Sequence, residues 1–522
     1  MISRLVAASA AVLLLTGFAD EAVPARATID PVPDALVINA KVEGQLGTYS
    51  PDYRLVVQGV QSNGVTWKET RSFRGQDFRV DRRTDIAETQ QGRYKGDAWH
   101  QTLNGFTIVH DHAGADAGSD LLFASQIVPG TVTRTNAPDG YRISALNPAG
   151  YGTVQYVDAQ TWRVTRVEVK DAAGVSTTTY GPLVTIGNRK FPGYAQLHDA
   201  ESKIDTRVTV LSYQPGVIAE GDVAIPPDRR SVVEFPPGVD TVTLPSHFYD
   251  NAAAVYVTLT IGGTGYDFVL DSGASSMTID PRIVAKLGLT TFDAAKNAVN
   301  AGPVDTALVK IGTIGIGPLT MHDVILEELP ANQEAPGVSA VGLLGFDFLA
   351  ENGVLIDYVH HTVTMHRNGT YALAPSRTTN ILPISLDDQV PEVSAKINGA
   401  SADRLIVDTG MQGTLMLFSY FAGQHPTALV DKDAGGLSAP RMRFTGVGGE
   451  IPTKAYELGE VDLGSMRFVD FLAFFVAGNG YVVDADGLFG GGFLRLYDVY
   501  FDYPHGQMAI TLNDLGHRAA GK

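Results

Sequence analysis

Two stretches of the 522-residue chain place an acidic side chain where a core residue would be expected. They read DFVLDSGASSMTID, from Asp267 to Asp280, and LIVDTGMQGTLML, from Leu405 to Leu417. Each runs an apolar strand into Asp-[Ser/Thr]-Gly and straight on into another apolar run. A carboxylate on a turn between buried strands must be paired or hydrogen-bonded, or its pKa must move. Asp271 and Asp408 are 137 residues apart. Brought together, two carboxylates make a general-acid and general-base couple.

Other candidate groups carry less. His110-Asp111-His112, with Asp116 and Asp120 after it, has the i, i+2 spacing that puts two ligands on one face of a strand end. Its polar, acidic setting reads instead as a solvated loop, and no metal is expected. His360 and His361 are adjacent, so in a hairpin they face opposite sides. Gly312 to Gly317 lacks the Lys-[Ser/Thr] of a phosphate loop and reads as turns. The absence of cysteine excludes disulfides, thiol catalysis and thiolate metal sites.

The elements that position the two aspartates repeat. Val242-Thr243-Leu244-Pro245 precedes Asp271 by 26 residues, and Asn380-Ile381-Leu382-Pro383 precedes Asp408 by 25. Between them lie matching strand pairs, VYVTLTIGGTGYDFVLDSG and PEVSAKINGASADRLIVDTG. A glycine-bearing stretch follows each aspartate: Asn300 to Pro303 in one copy, Gly446-Val447-Gly448-Gly449 in the other. Each copy then has a strand region with a glycine turn, Ile314 to Leu319 and Val461 to Met466. Each ends in a Gly-apolar-apolar-Gly element and a closing hairpin, from Gly342 and from Gly487. Solenoids and propellers need more copies, so two imply a pair of lobes about a pseudo-dyad.

Over roughly Thr241 to Thr511 this layout resembles the aspartic peptidases of the pepsin and retroviral-protease clan. Within that clan it is most similar to the retropepsin-like aspartyl proteases of bacterial envelopes. The family motif is apolar-apolar-Asp-[Thr/Ser]-Gly and a small residue, with a later apolar-apolar-Gly. It is met by Val269 to Ala274 with Leu343-Leu344-Gly345, and by Ile406 to Gly410 with Leu488-Phe489-Gly490. The resemblance implies that Asp271 and Asp408 are the catalytic pair and share one proton, because like charges about 3 Å apart cannot both ionise. It implies that Ser272 and Thr409 hydrogen-bond across the lobe interface, and that Gly273 and Gly410 let the backbone approach the carboxylates. Gly446, Val447, Gly448 and Gly449 are the candidates for a mobile substrate-covering flap. The substrate implied is a polypeptide, and no metal or organic cofactor is required. Two departures stand out. Met411-Gln412-Gly413 replaces the usual small residue and hydroxyl, and the first copy has Pro303 where a glycine pair is usual.

The rest of the chain sets the context. Residues 1–27 are expected to be a signal peptide: one positive charge by Arg4, an apolar run from Leu5 to Leu15, then small residues. That run is too short to span a bilayer. The expected product has no transmembrane anchor and is periplasmic or secreted. Residues 28–214 are expected to form an N-terminal β-rich accessory domain. Its strand-like stretches include Tyr53 to Val57, Gly105 to Val109 and Trp162 to Val169, the last of which alternates as a half-buried antiparallel strand does. It resembles the antiparallel sheets of envelope proteins that carry lipoproteins or sense the envelope, which implies an envelope-associated partner. Residues 215–239 form a Pro-rich linker, with protease lobes at 240–378 and 379–515.

Composition agrees with this organisation. Apolar residues make up 44% and charged residues 18%, the proportions of a folded chain, and 56 glycines with 27 prolines favour short strands and turns over long helices. The balance of 39 basic and 57 acidic residues, with no basic run, argues against nucleic-acid binding. The sequence reading is therefore a mainly β protein: a duplicated acid-protease barrel behind an antiparallel sheet, acting as an exported aspartic endopeptidase. The alternatives are a non-catalytic envelope protein whose barrel binds peptide and whose sheet binds lipid or polypeptide, and a zymogen.

Overall fold

In the computed structural model the described residues are 32–47, 50–110, 127–136, 139–147, 150–171, 174–200, 203–229, 232–249, 253–299, 302–331, 334–335, 338–371, 379–386, 389–429, 441–446, 449–476 and 485–520. The fold is mainly β, with barrels and sheets of an aspartyl protease-like kind. It divides by internal contacts into two units. One is built on residues up to Trp99 and from 112 to Ile225; the other takes in His100–Asp111 as well as Pro226–Lys522. The signal-peptide range 1–27 and the cluster Asp111, His112, Asp116 and Asp120 lie outside the described residues, as does the side chain of His110.

The first unit is built on a long antiparallel sheet. From Asp97–Gln101 the chain can be followed backwards through Glu88–Tyr94, Asp77–Arg83 and Thr66–Arg74 to Asp52–Gln61. The sheet continues through Asp205–Pro215, Ala195–His198 and Gly174–Tyr180 to the meander of Val164–Asp171, Gly152–Asp158, Asp139–Leu146 and Thr131–Asn136. Alternation sets its faces: Tyr53, Leu55 and Val57 are buried while Arg54, Val56 and Gln58 are half-exposed. Gly59 sits opposite Trp67, and a Cβ there would lie 2.1 Å from the indole, so the strand accepts a glycine where the ring needs room.

Two local features depart from the sequence reading. A helix, Ala35–Leu46, precedes the sheet and is capped by Asp34, whose side chain accepts from Val37 N at 2.8 Å. It buries Ile38, Val42 and Leu46, one turn apart, in the same apolar cluster as the sheet; each contributes about 1.5–3 kcal/mol of transfer free energy. The strand expected from Trp162 starts at Val164 instead. Asp158 accepts from the backbone of Gln160 and Thr161 and holds a turn, which leaves Trp162 at φ +53° with its ring stacked on Tyr141.

In the second unit the repeat seen in the sequence is a repeat of strands. Thr264–Leu270, which leads into Asp271, pairs antiparallel with Val255–Ile261 and parallel with Leu343–Leu344. Ala400–Asp408 pairs in the same way with Glu392–Ile397 and Gly487–Gly490. A long hairpin arm follows in each half: Gly302–Ile316 with Leu319–Glu328, and Gly449–Leu463 with Met466–Val476. Both second strands hold an aspartate in the left-handed region, Asp323 and Asp470, each at φ +52°; one pair of the ladder is missing there while the register is unchanged on either side.

A six-stranded sheet joins the halves. Its order is Thr241–Thr243, Thr362–His366, Gly353–Asp357, Tyr497–Asp502, Gln507–Leu512 and Thr379–Pro383. Each half supplies its closing hairpin and one leading strand, and the central pairing of Ile356 with Val499 is antiparallel. The same order of strands thus leads into each Asp-bearing loop. The expected connector 215–239 enters the packing too: Val233–Glu234 pairs with Thr320 and Met321, and Val232, Val233 and Phe235 are core residues. The segment at His100–Asp111 contributes Phe106 and Ile108 to the same core. Asn104 mimics a peptide there, donating to Ile325 O and accepting from Ile325 N, both at 2.9 Å.

Candidate active site

Asp271 and Asp408 end their strands at the point where the two halves meet. Asp271 is buried and Asp408 half-buried. The loops beneath them are interlocked by four hydrogen bonds. Ser272 Oγ donates to Val407 O at 2.6 Å and accepts from Thr409 N at 3.1 Å. Thr409 Oγ1 donates to Leu270 O at 2.6 Å and accepts from Ser272 N at 3.0 Å. Each hydroxyl residue thus satisfies one donor and one acceptor of the opposite half. Both side chains are fully enclosed, so the four groups have no water to fall back on.

The glycines serve a close approach. A Cβ at Gly273 would lie 2.7 Å from Asp408 Cγ, and one at Gly410 would lie 2.6 Å from Asp271 Oδ2. Each aspartate therefore rests against the opposite glycine, and no other residue fits. Their amides also face the carboxylates: Gly273 N donates to Asp271 Oδ1 at 3.0 Å, Gly410 N to Asp408 Oδ1 at 2.8 Å.

The electrostatics of the pair are unequal. Burial, the Asp408 charge and a hydrogen bond given to Asp408 push Asp271 well above the usual carboxylate range, against the amides of Gly273 and Ala274. Burial also raises Asp408, but the amides of Met411 and Gly410 and the bond from Asp271 work against it. Met411 N donates to Asp408 Oδ1 at 2.9 Å, alongside Gly410 N on the same oxygen. Both carboxyls are thus held above the usual carboxylate range, Asp271 the further of the two.

Met411, a departure from the expected small residue, supports its aspartate through its backbone. Its thioether lies against Gly490, where a Cβ would be 3.0 Å from the sulfur. Among the flap candidates, Gly446 and Gly449 pair across the hairpin of Arg441–Gly446 and Gly449–Leu463, while Val447 and Gly448 lie outside the described residues. In the first half Pro303 pairs with Ala298 in the hairpin of Thr291–Val299 and Gly302–Ile316. His360 and His361 lie apart from the pair: His360 binds Asp357 at 2.7 Å and His361 stacks on Phe248.

Sequence reasoning missed two glutamines beside the pair. Gln412 Oε1 accepts from Ala253 N at 2.6 Å, and Gln389 Nε2 donates to Ser275 O at 3.1 Å. The available signal was positional: Ser275 and Gln412 each stand four residues after an aspartate.

A family model described as "Aspartyl protease" matches residues 257–348, from within the strand Val255–Ile261 to the short helix Phe346–Leu349. That stretch is an aspartyl protease-like domain. No curated protein matches the chain. Among solved structures, a LolA superfamily protein from Nitrosomonas europaea is similar at 10% identity and a TM-score of 0.28, over 37% of this chain and 98% of that one. Basic 7S globulin from soybean is similar at 12% identity and a TM-score of 0.33, over 54% of this chain and 97% of that one.

Proposed function

We propose that the protein is an aspartic endopeptidase in which Asp271 and Asp408 activate water against a peptide bond. The observation that carries this reading is the mutual seating of the two carboxyls on Gly410 and Gly273, above hydroxyls exchanged between the halves. A buried pair so held, with one proton, presents an acid and a base to the same atom. The Asp408 carboxylate takes a proton from the bound water while the Asp271 proton passes to the scissile carbonyl oxygen, giving a tetrahedral diol. Collapse of the diol returns a hydroxyl proton to the pair and hands another to the leaving amine nitrogen. Bond making and breaking balance without any further reactant.

The duplicated strand order supports the finer reading of a single-chain, two-lobed enzyme of the retropepsin-like kind. The charged, apolar and small segments of residues 1–27 support export to the periplasm or beyond. The unit containing the long antiparallel sheet then accompanies the protease as an accessory domain with an envelope-associated partner.

Incubation of the full chain with a mixture of denatured proteins tests the reading. Fragments should appear under acidic conditions and vanish with a transition-state mimic of the pepstatin type. Intact proteins at every pH from about 3 to 8, the span in which a carboxylate pair titrates, would leave the barrel as a peptide-binding module.

A further inference from the structure

The exchanged hydroxyls of Ser272 and Thr409 fasten the two halves beneath the pair. The six-stranded sheet joins the halves as bodies, but a fastening at one point of the Asp-bearing loops leaves each loop able to tilt about it. Such a tilt changes the spacing of two carboxyls that sit on opposite sides. A shared proton needs that spacing held to a few tenths of an ångström, and catalytic geometry is lost by displacements of about 1 Å.

Two further bonds cross between the halves away from that exchange, at corresponding places. Ala253 lies just before the strand Val255–Ile261, and Gln389 lies just before the strand Glu392–Ile397. Ala253 N reaches forward to Gln412 Oε1, and Gln389 Nε2 reaches back to Ser275 O. Each strand-leading segment of one half thus holds the Asp-bearing loop of the other, four residues past the aspartate. The contact at Ala253 is close: a Cβ at the neighbouring Gly491 would lie 3.0 Å from Ala253 Cβ. Gln389 adopts φ +68°, a conformation a non-glycine residue takes at some cost, and its backbone N is bound to Leu386 O.

We infer that Gln412 and Gln389 are positioning residues: two outlying latches that, with the Ser272–Thr409 exchange, fix the two carboxyls at three points. The inference rests on the reading of Asp271 and Asp408 as the working pair. The latches have opposite polarity. Gln412 is an acceptor for a peptide N–H, and Gln389 is a donor to a peptide carbonyl. This polarity gives each a distinct rescue pattern. Both bonds lie partly in solvent, so removing them spares the core and leaves the fold able to report on position alone.

The test uses the full chain carrying Gln412→Ala, Gln412→Glu, Gln389→Ala or Gln389→Glu. It measures kcat, KM and pH–rate profiles on a peptide substrate, together with the carboxyl carbon-13 titration of Asp271 and Asp408. Each alanine variant should lose about tenfold or more in kcat with KM changed less than about twofold. Its two titrations should draw closer together, because a looser pair shares its proton less strongly. Gln412→Glu keeps an acceptor and should recover most of kcat, whereas Gln389→Glu has no donor and should not. Wild-type kcat and unchanged titrations in both alanine variants would overturn the inference. Equal behaviour of the two glutamate variants would do the same. A wild-type chain that cuts nothing, yet whose split titrations narrow in the alanine variants, would refute the peptidase reading and keep the latches.

Discussion

The two halves around the pair have the same strands in the same order, yet they treat their aspartates differently. Asp271 takes the amides of Gly273, at 3.0 Å, and of Ala274, and faces the charge of its neighbour; Asp408 collects Gly410 N and Met411 N on one oxygen, at 2.8 and 2.9 Å. Within a nearly symmetric scaffold the two carboxyls therefore sit unequally, Asp271 raised further than Asp408 because the Asp408 charge adds to its burial. The hairpin arms differ as well. Ile325 and Leu472 occupy corresponding places, two residues past the left-handed aspartates Asp323 and Asp470. Ile325 is 6% exposed and its backbone is held by Asn104, whereas Leu472 is 51% exposed and its carbonyl is taken by Thr414 Oγ1 at 2.7 Å. Duplication fixes a backbone; what each copy meets afterwards fixes its chemistry.

The strongest way to break the comparison is to neutralise one carboxyl. Asp271→Asn and Asp408→Asn should each lower kcat by about a thousandfold or more, since one removes the proton donor and the other the base. Their stabilities separate the two roles. The folded pKa of Asp271 lies above its unfolded value. Its protonation therefore stabilises the fold fully below the unfolded pKa, and that contribution is lost as pH rises through the folded pKa. Asparagine carries no charge to bury, so Asp271→Asn should melt higher than the wild type near neutrality and show no gain near about pH 3. Thermal melts across that range check the sign, and a gain that is largest at low pH would refute it.

Next come the glycines. Gly410→Ala drives a methyl group into Asp271, and Gly273→Ala drives one into Asp408. Each should cost about a hundredfold in kcat by displacing the opposite carboxyl. The Gly410 variant should chiefly disturb the acidic group and the Gly273 variant the basic one, visible as shifts of opposite limbs of the pH–rate profile.

The exchanged hydroxyls should matter to folding more evenly. Ser272→Ala or Thr409→Ala strands a buried donor and a buried acceptor, a loss of about 2–3 kcal/mol each in denaturant unfolding. Ser272→Thr and Thr409→Ser keep the hydroxyl and should fall near the wild type. A large loss in only one alanine variant would show that the exchange is less symmetric than its distances.

The smallest effects belong to the hairpin arms, where the contrast is sharpest in proportion. Ile325→Ala empties a covered site and should cost about 2–4 kcal/mol. Leu472→Ala trims an exposed side chain and should stay within about 0.5 kcal/mol. Similar losses at both positions would mean that Leu472 is covered in solution.

Much of this site was legible in the chain because it is local. An apolar strand, Asp, a hydroxyl and Gly name a turn and its chemistry within five residues, and the repeat at 137 residues says that two such turns belong together. The leading strands Thr241–Thr243 and Thr379–Pro383 and the closing hairpins were also visible, since alternation and glycine turns are short-range signals. The helix Ala35–Leu46 has its own short-range signals, the Asp34 cap and the helical spacing of Ile38, Val42 and Leu46. Trp162 was misplaced because the Asp158 side chain, rather than the residue's own propensity, sets the turn.

The sequence by itself determined which residues recur and what each could donate, accept or bury: two carboxyls, two hydroxyls and two glycines at matching offsets. Only the tertiary structure decided that Asp271 is raised further than Asp408, because that depends on how deeply each carboxyl is buried and on a neighbour 137 residues away. It alone made latches of Gln389 and Gln412, whose partners lie 114 and 159 residues off in the chain. It alone drew Asn104, Phe106 and Ile108 into the core of the unit that holds the pair. Hydrogen bonds and charge–charge terms act over a few ångströms, and which groups come that close is settled by the packing of whole sheets.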